Sequence, residues 1–360
     1  AGFRARARAK GLAAATLDRA LATARFLPDV LEKDRAQFQF RRTLEDYIAI
    51  AASPERLRAG RAKLRRHARL LERIEARYGV EKEVVAAIWG MESSFGARRG
   101  ETPVISALAT LGWKSRRAAF FEGQLIAALK IVAAGDIAPE KMTGSWAGAM
   151  GHTQFIPTTY LAHAVDFTGD GRRDIWSDDP SDALASTANY LARSGWQTGA
   201  PWGLEVRLPK GHDALATRSI AQWRTRGVRP AAGGVLPDHG PATLILPNGA
   251  GGPAFLLFHN YKVLRAYNDS MKYALAVGHL SDRLAGGGPL VGRFGPDAQG
   301  LTLAERREIQ KRLMRRGFDV GGADGVIGDK TTAAIRAFEA AQGLPVTGIA
   351  SKALLQALRR

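Results

Sequence analysis

The chain has 360 residues, of which 46% are hydrophobic and 24% charged, and its net charge is +18. This composition excludes a disordered chain and allows two or three domains with a sizeable core. The absence of cysteine excludes disulfides, thiolate metal sites and a cysteine nucleophile, and no apolar run approaches the roughly 18 residues of a membrane span.

Much of the positive charge lies on two predicted helices. A nucleic-acid binder and a protein that acts on an anionic cell envelope would both carry such charge. Neither basic set alternates with aromatic residues, as a platform for stacked bases would. We therefore interpret both sets as solvated faces rather than specific polyanion sites. They are Arg56, Arg58, Arg61, Lys63, Arg65, Arg66 and Arg69, and Arg306, Arg307, Lys311, Arg312, Arg315 and Arg316.

The first half of the chain is predicted to be helical. Ser53 followed by Pro54 is a helix start, with a capping side chain and a proline at the first helical position. An apolar stripe then runs to Gly79, which predicts one helix over 54–78. The stripe consists of Leu57, Leu64, Leu71, Ile74 and Tyr78.

A second helix carries the strongest candidate for chemistry. Val84, Ile88 and Glu92 fall four apart, so Glu92 continues an apolar stripe at the helix end. Loss of water raises the pKa of a carboxyl group, which suits a general acid in glycosidic cleavage. The alternative is a partly exposed glutamate at a frayed helix end, and the spacing alone favours that alternative.

Helices are also predicted over 117–134 and 181–194, with a glycine-rich stretch between them. Gly144 to Gly151 is too rich in glycine for a helix centre unless the backbone approaches something closely. Around 203–258 the pattern changes to short strands, which predicts a small β insertion. The strands are 205–208, 242–246 and 254–258, with a turn at Asn248–Gly249.

Residues 166–174 are similar to the front of an EF-hand loop. Such loops place oxygen ligands at positions 1, 3, 5 and 9 and a glycine at position 6. The matching residues are Asp166, Thr168, Asp170, Asp174 and Gly171. Position 3 is a neutral threonine, and Ser177 stands where a bidentate glutamate is expected. A weak structural calcium or sodium ion and an Asp/Gly turn held by its own hydrogen bonds carry equal weight.

Several blocks, in order, resemble the membrane-bound lytic transglycosylase B family. Gly90–Gly96 is similar to that family's catalytic segment, and Gly148–Tyr160 is similar to its second hallmark. Further matching blocks are Asp166–Trp176, Asn189–Tyr190, Tyr267–Ser270 and Tyr273. The resemblance covers roughly residues 1–285.

This resemblance implies a lysozyme-like core and a non-hydrolytic reaction. Glu92 would protonate the oxygen between N-acetylmuramic acid and N-acetylglucosamine, and would then deprotonate the muramic acid 6-hydroxyl to give a 1,6-anhydro end. The substrate's 2-acetamido group would assist in place of an enzymic nucleophile. The sequence agrees, because no second carboxylate lies within a few residues of Glu92 or in 144–160, whereas ordinary glycosidases use a pair.

The resemblance also implies contacts with the sugars. Ser145 and Gln154 match positions that hydrogen-bond the sugar and its acetamido group. Phe155, Tyr190 and Tyr267 would line the cleft, where an aromatic face offers a sugar ring an apolar platform. For any one of these aromatic residues, packing in the core is an equally weighted alternative.

Other matched positions would orient or bind charged groups. Asn268 and Tyr273 would lie near Glu92 and orient it. Arg116 and Arg117 would meet the lactyl or peptide carboxylates, a task that suits guanidinium groups. The resemblance further suggests that Asp182 closes a longer metal loop, although this chain carries extra residues at 177–181.

Residues 301–360 resemble a three-helix peptidoglycan-binding domain. The turn Asp324–Gly328 followed by Thr331, Ala334, Ile335 and Phe338 carries the likeness, together with Gly317–Phe318 and Gln342–Leu344. This region contains no catalytic cluster, so we predict binding.

The sequence therefore predicts a mainly α (α+β) protein in three parts: a catalytic region over 1–285, a Gly/Pro-rich linker over 286–300 and a peptidoglycan-binding domain over 301–360. The expected partner is the peptidoglycan glycan strand, with no nucleic acid and no cofactor for the chemistry. We expect a periplasmic monomer, soluble or attached to the outer membrane through an N-terminal anchor missing from this chain. Hydrolysis by the same site and a non-catalytic wall-binding scaffold are the alternatives.

Overall fold

The structure, a computed structural model, describes residues 2–36, 43–209, 215–249 and 251–360. These residues form two compact units. The first unit is drawn from the described residues within 1–41 and 58–199, and the second from those within 42–57 and 200–360.

Helices dominate both units, as the sequence predicts. In chain order they are α1 (Gly2–Ala9), α2 (Ala14–Leu21), α3 (Pro28–Ala36), α4 (Leu44–Ala51), α5 (Pro54–Arg66), α6 (Ala68–Tyr78), α7 (Lys82–Ser93), α8 (Val104–Lys114), α9 (Ala118–Ala134), α10 (Pro157–His163), α11 (Ser181–Arg193), α12 (Ile220–Thr225), α13 (His259–Tyr267), α14 (Met271–Leu284), α15 (Leu303–Arg315), α16 (Asp329–Ala341) and α17 (Lys352–Arg359). A short 3₁₀ helix covers Pro139–Lys141. The helices predicted over 117–134 and 181–194 are confirmed as α9 and α11.

Helix α7 lies in the core of the first unit. Every residue from Val84 to Gly90 is buried, and Trp89 is 1% exposed. A helical segment that is apolar on all sides is normally buried, so this segment packs in the interior of the unit. The predicted second helix, with Glu92 in its last turn, is confirmed.

The prediction of one helix over 54–78 is wrong at His67. The predicted cap is present, because the Arg56 N–H donates to Ser53 Oγ at 3.3 Å. At His67 the backbone leaves helical geometry (φ −108°, ψ 24°), which separates α5 from α6, and its ring packs edge-on against Trp89 at 5.5 Å. The apolar spacing continues across this kink, so periodicity could not reveal it.

The predicted β insertion is confirmed in the second unit as a five-stranded antiparallel sheet. The strand order is β4-β6-β7-β3-β5, so β7 lies at its centre. Its strands are β3 (Gly203–Arg207), β4 (Thr217–Arg218), β5 (Arg229–Pro230), β6 (Ala242–Ile245) and β7 (Ala254–Leu257); the first unit has a two-stranded sheet of β1 (Thr102–Pro103) and β2 (Thr143–Gly144). Trp223, Leu244 and Leu256 form part of the core under the larger sheet.

Helices α13 and α14 pack together in the second unit, and α14 also contacts α4. Helix α14 is buried from Tyr273 to Ser281. A Cβ on Gly278 would come 2.3 Å from the Trp202 ring, so the indole lies directly on the helix backbone at that residue.

Residues 301–360 form the predicted order of helix, turns, helix, turn and short helix. Thr302 and Glu305 make a capping box at the start of α15, in which each side chain bonds the other's backbone N–H. Leu313, Ile335 and Leu355 belong to a core contributed by α15, α16 and α17. We refer to these residues as the C-terminal domain.

The segment predicted as a linker makes specific contacts within the second unit. The backbone N–H groups of Val291 and Gly292 donate to the Glu205 carboxylate at 2.8 and 2.6 Å. Further along, Asp297 accepts a bond from Arg306 at 2.9 Å. Residues 286–300 are therefore fastened at two places.

Arg306 joins the C-terminal domain to α4. Its guanidinium is 6% exposed and binds Glu45 at 2.5 Å, Asp297 at 2.9 Å and Asp46 at 3.2 Å. It also donates to the Gly325 carbonyl at 2.8 Å. A residue that the sequence places in a solvated basic face thus lies in a buried ion cluster.

Within the described ranges, none of the helices combines the length and the apolar character that a bilayer span requires.

Candidate functional site

Glu92 lies in the last turn of α7, where the chain leaves the core. It is partly exposed, whereas Ser93 and Phe95 are buried. Ser94, Phe95 and Gly96 all have positive φ, at 51°, 60° and 86°. We call these three residues the left-handed turn. It begins directly after α7 ends at Ser93, and so sets the direction in which the chain leaves Glu92.

The left-handed turn is a strained piece of backbone. Non-glycine residues in this conformation cost about 1–3 kcal/mol each, so the surrounding structure must hold them there. The Phe95 ring occupies the space beside Gly90, where a Cβ would come 2.6 Å from it. Ser93 Oγ donates to the His152 carbonyl at 2.6 Å and accepts the Gly96 N–H at 2.9 Å. The segment after Glu92 is thus bonded to the glycine-rich segment about sixty residues later.

The glycine-rich segment is a tight backbone structure, as its composition predicts. Strand β2 pairs with β1, and isolated bridges join Gly144 to Met150 and Met150 to Phe155. A Cβ on Gly144 would come 2.2 Å from the Ala149 carbonyl oxygen. A Cβ on Gly151 would come equally close, 2.2 Å, to the Ile175 carbonyl oxygen. These glycines allow approaches that no side chain would permit.

We expect Gly151→Ala to destabilise the first unit by more than about 1 kcal/mol. Gly151 has φ 70°, and its added Cβ would meet the Ile175 carbonyl oxygen at 2.2 Å. Gly169→Ala is the matched control, because Gly169 has φ 80° with nothing within 4 Å of an added Cβ. Urea unfolding measures both variants. Equal losses would show that the close approach to Ile175 adds nothing to the backbone strain.

Ser145 and Gln154 are each held by bonds that leave one polar atom suited to a ligand. Gln154 Nε2 donates to the carbonyls of Arg99 and Gly151, both at 2.9 Å, which uses both amide hydrogens. Its Oε1 is then the atom suited to accept a bond from a ligand. Ser145 Oγ accepts the Ala149 N–H at 3.0 Å, which leaves its hydroxyl hydrogen for donation. Both side chains are partly exposed.

Of the two predicted cleft aromatics in the first unit, one is much more exposed than the other. Phe155 is 2% exposed and therefore offers a ligand little surface. Its ring lies 6.1 Å from Tyr190, which is partly exposed and also packs on His163 at 4.5 Å. Phe155 therefore fits the alternative of packing in the core, whereas Tyr190 is partly exposed to solvent.

Arg116 and Arg117 are exposed where α8 gives way to α9. The Arg117 guanidinium lies 4.3 Å from the centre of the Phe120 ring, a cation–π arrangement that restricts the side chain. Both residues are accessible to an anionic group.

The remaining predicted site residues lie in the second unit. Tyr267 ends α13, and Tyr273 lies in the first turn of α14, capped by the Ser270 hydroxyl. The two tyrosine rings are parallel within 2°, with centroids 6.4 Å apart. Tyr273 is 4% exposed, whereas Asn268 between them in sequence is exposed.

The loop that begins at Asp166 is held by its own hydrogen bonds. Asp166 accepts the backbone N–H groups of Gly169, Asp170 and Gly171 at 2.6, 3.2 and 2.8 Å, and the Thr168 hydroxyl at 3.2 Å. These bonds hold the pKa of Asp166 below its usual value, and the bond from the Gly171 N–H has the largest effect.

Asp182 closes the same loop from α11. One carboxylate oxygen accepts the N–H groups of Phe167 and Thr168 at 2.9 and 3.1 Å, and the other accepts that of Asp174 at 2.8 Å. Burial raises the pKa of Asp182 above its usual value, and the backbone donors oppose that rise.

In this structure the carboxylates of Asp166 and Asp182 accept bonds from backbone N–H groups. In the part of the chain that the structure describes, no group of three or more acidic or histidine side chains is placed to hold a metal ion. The five predicted ligands are not gathered into such a group, and metal binding by this loop stays a prediction. The hydrogen bonds of an Asp/Gly turn, the other alternative, are present. The predicted ligands were Asp166, Thr168, Asp170, Asp174 and Asp182.

Sequence reasoning missed a group of residues behind the left-handed turn. His152 is 3% exposed and bonds both Trp89 and Ser177, while Arg99 bonds Ser177 and Asp178. Their separations of roughly 25 to 80 positions leave no local pattern by which to find them. The one signal in the sequence is a histidine within a glycine-rich hallmark segment.

Comparison with known proteins assigns both parts of the chain to families. Residues 1–282 match the family model described as "Transglycosylase SLT domain", and residues 302–358 match that described as "Putative peptidoglycan binding domain". Membrane-bound lytic murein transglycosylase B of Escherichia coli is 36% identical over 215 residues. That match covers 58% of this chain and 58% of the E. coli protein.

Two solved structures are also similar. SltB3 from Pseudomonas aeruginosa, in complex with NAG-anhNAM-pentapeptide, is 48% identical with a TM-score of 0.79, covering 100% of this chain and 98% of that one. The Escherichia coli lytic transglycosylase Slt35 in complex with calcium is 31% identical with a TM-score of 0.68, covering 79% of this chain and 91% of that one.

Proposed function

Since the chain belongs to the transglycosylase SLT domain family, we propose that it cleaves the β-1,4 bond between N-acetylmuramic acid and N-acetylglucosamine in peptidoglycan. The product is a 1,6-anhydro-N-acetylmuramic acid end. Glu92 is the single acid and base, and no cofactor takes part in the reaction.

The proposed reaction balances without water. Protonated Glu92 gives its proton to the glycosidic oxygen as the bond from that oxygen to C1 breaks, and the 2-acetamido group stabilises the positive charge at C1. The Glu92 carboxylate then takes the proton of the C6 hydroxyl as O6 bonds to C1. The residue ends in its starting protonation state, so one carboxyl group suffices.

The position of Glu92 carries this proposal. It is a partly exposed carboxyl group at the end of a buried helix, followed by a turn that is held on both sides. Segments 90–96 and 143–160 contain no other carboxylate. A glycosidase that hydrolyses its substrate usually places two carboxyl groups across the bond.

Neighbouring polar groups support recognition of an amino sugar. Gln154 Oε1 can accept from an acetamido N–H, and the Ser145 hydroxyl can donate to a sugar oxygen. Tyr190 would contact a sugar ring, and Tyr267, Asn268 and Tyr273 stay predicted site residues of the second unit. Arg116 and Arg117 would bind the lactyl or peptide carboxylates.

The C-terminal domain would add affinity for the same polymer. Binding at a second place on one strand raises the local concentration of substrate without new contacts at Glu92. A relative binds such material, since SltB3 is seen in complex with NAG-anhNAM-pentapeptide. We infer a monomer that acts in the periplasm, soluble or lipid-anchored.

Mass spectrometry of digested sacculi tests the reaction class. We expect the wild type to release anhydro-muropeptides, each lighter by one water than the corresponding hydrolysis product. Products with reducing ends would identify a hydrolytic muramidase instead. If the wild type binds sacculi and releases nothing, the chain is a wall-binding scaffold and the proposal fails.

A further inference from the structure

His152 lies buried behind the left-handed turn with both ring nitrogens engaged. Its Nδ1 accepts the Trp89 indole N–H at 3.1 Å, and its Nε2 lies 2.7 Å from the Ser177 carbonyl oxygen. An indole nitrogen only donates and a carbonyl only accepts. These two partners call for a neutral ring with its hydrogen on Nε2, and Arg99 Nη1, which also only donates, makes its shorter bond of 2.6 Å to the Ser177 carbonyl.

The His152 ring also lies against the left-handed turn. A Cβ on Gly96 would come 2.6 Å from Nδ1, so the imidazole is packed against the backbone at that residue. The His152 backbone holds the same segment, because the Ser93 hydroxyl donates to the His152 carbonyl. Ring and backbone of one residue thus hold the segment that directly follows Glu92.

On its other side, His152 meets residues 177–181, the stretch that the family resemblance marks as extra. Arg99 donates to the Ser177 carbonyl at 2.6 Å and to Asp178 at 2.7 Å. His152 and Arg99 therefore bind the same carbonyl group. Hydrogen bonds to His152 and Arg99 thus hold this extra loop.

The charged groups around His152 are mostly cationic. Arg99 Nη1 lies 3.2 Å from Nε2, and the Lys63 ammonium lies 5.1 Å from the centre of the Trp89 ring. Asp178 is the opposing anion and is paired with Arg99. Burial first, and then Arg99 and Lys63, lower the pKa of His152, against the effect of its carbonyl partner and Asp178.

We propose that His152 is a positioning residue, which as a neutral imidazole wedged between Trp89 and Ser177 fixes the left-handed turn and through it Glu92. This inference rests on the proposed function of Glu92. Protonation of Nδ1 would remove the acceptor for the Trp89 N–H and set two N–H groups against each other. Acidification would then disturb the turn.

The first test is the pH profile of kcat/KM. A single glutamic acid that must be protonated in the free enzyme accounts only for loss on the alkaline side. We expect an additional loss on the acid side, at a pH below the ordinary histidine value of about 6.5, from His152. A wild type without this acid-side loss would overturn the proposal.

Substitutions provide the second test. In His152→Phe the ring volume stays, but Trp89 and Ser177 lose their partner, so we expect kcat to fall about 10- to 100-fold. His152→Gln keeps an amide donor for Ser177 and should recover part of kcat while removing the acid-side loss. His239→Gln, which changes a histidine of the second unit, is the control.

Nitrogen-15 NMR of the wild type tests the geometry without activity. We expect one histidine, absent from the His152→Gln spectrum, to be neutral with its hydrogen on Nε2 at pH 7. The opposite tautomer, or an imidazolium, would overturn the proposal even if His152→Phe fails to fold. If this signature is present but sacculi yield no anhydro products, the proposed function fails and the geometry stands.

Discussion

In a Glu92→Gln variant we expect the rate of anhydro-muropeptide release to fall about 10²–10⁴-fold, the usual contribution of a general acid or base. Glutamine keeps the shape of the side chain, but its amide has no acidic proton to transfer to the glycosidic oxygen. Because one residue performs both proton transfers, no second carboxylate in segments 90–96 or 143–160 can take over. Release is measured by mass spectrometry of sacculus digests over time.

The matched control is Glu101→Gln, which changes an exposed carboxylate nine positions further along the chain. We expect it to retain near wild-type activity. Thermal unfolding of both variants should match the wild type, because Glu92 is itself partly exposed. Less than a tenfold loss in a folded Glu92→Gln protein would mean that another group is the acid.

The largest stability effect is expected from Arg306→Met. Removing one partner of a buried ion pair costs about 3–5 kcal/mol, since the remaining charge stays buried and unpaired. Glu45 is 8% exposed and binds Arg306 at 2.5 Å, and it would be left in that state. Urea unfolding of the full chain measures the loss.

The loss of stability in Arg306→Met should also depend on pH. Burial raises the pKa of Glu45, and the Arg306 charge opposes that rise, so without Arg306 the pKa should rise further. A carboxyl group whose pKa is higher in the folded than in the unfolded protein binds more protons when folded, so stability increases as pH falls through that range. We therefore expect the defect of Arg306→Met to shrink on acidification.

Arg312→Met is the control for this prediction. Arg312 pairs with Glu308 on the same helix, with both side chains about a third exposed. Such pairs contribute about 0–1 kcal/mol. If both variants lose equally little, the ion cluster around Arg306 does not hold the C-terminal domain to α4.

Local features of the chain were predictable from the sequence. Helix α7 and the strands of the β insertion follow from the periodicity of apolar residues, because each pattern reports which face of an element is buried. The place of Glu92 at the end of α7 follows from the same spacing. The glycines of 144–151 predicted close backbone contact, since glycine lacks the Cβ that would prevent it.

The sequence by itself therefore determined most of the helices, the sheet and the position of Glu92 on its helix. Only the tertiary structure decided that His152 backs the left-handed turn, that Arg306 is buried and that the carboxylates of the Asp166 loop face backbone N–H groups. The physical reason is distance along the chain. Periodicity and turn chemistry act over a few residues, whereas Arg306 and Glu45 are 261 positions apart and meet only when the chain has folded.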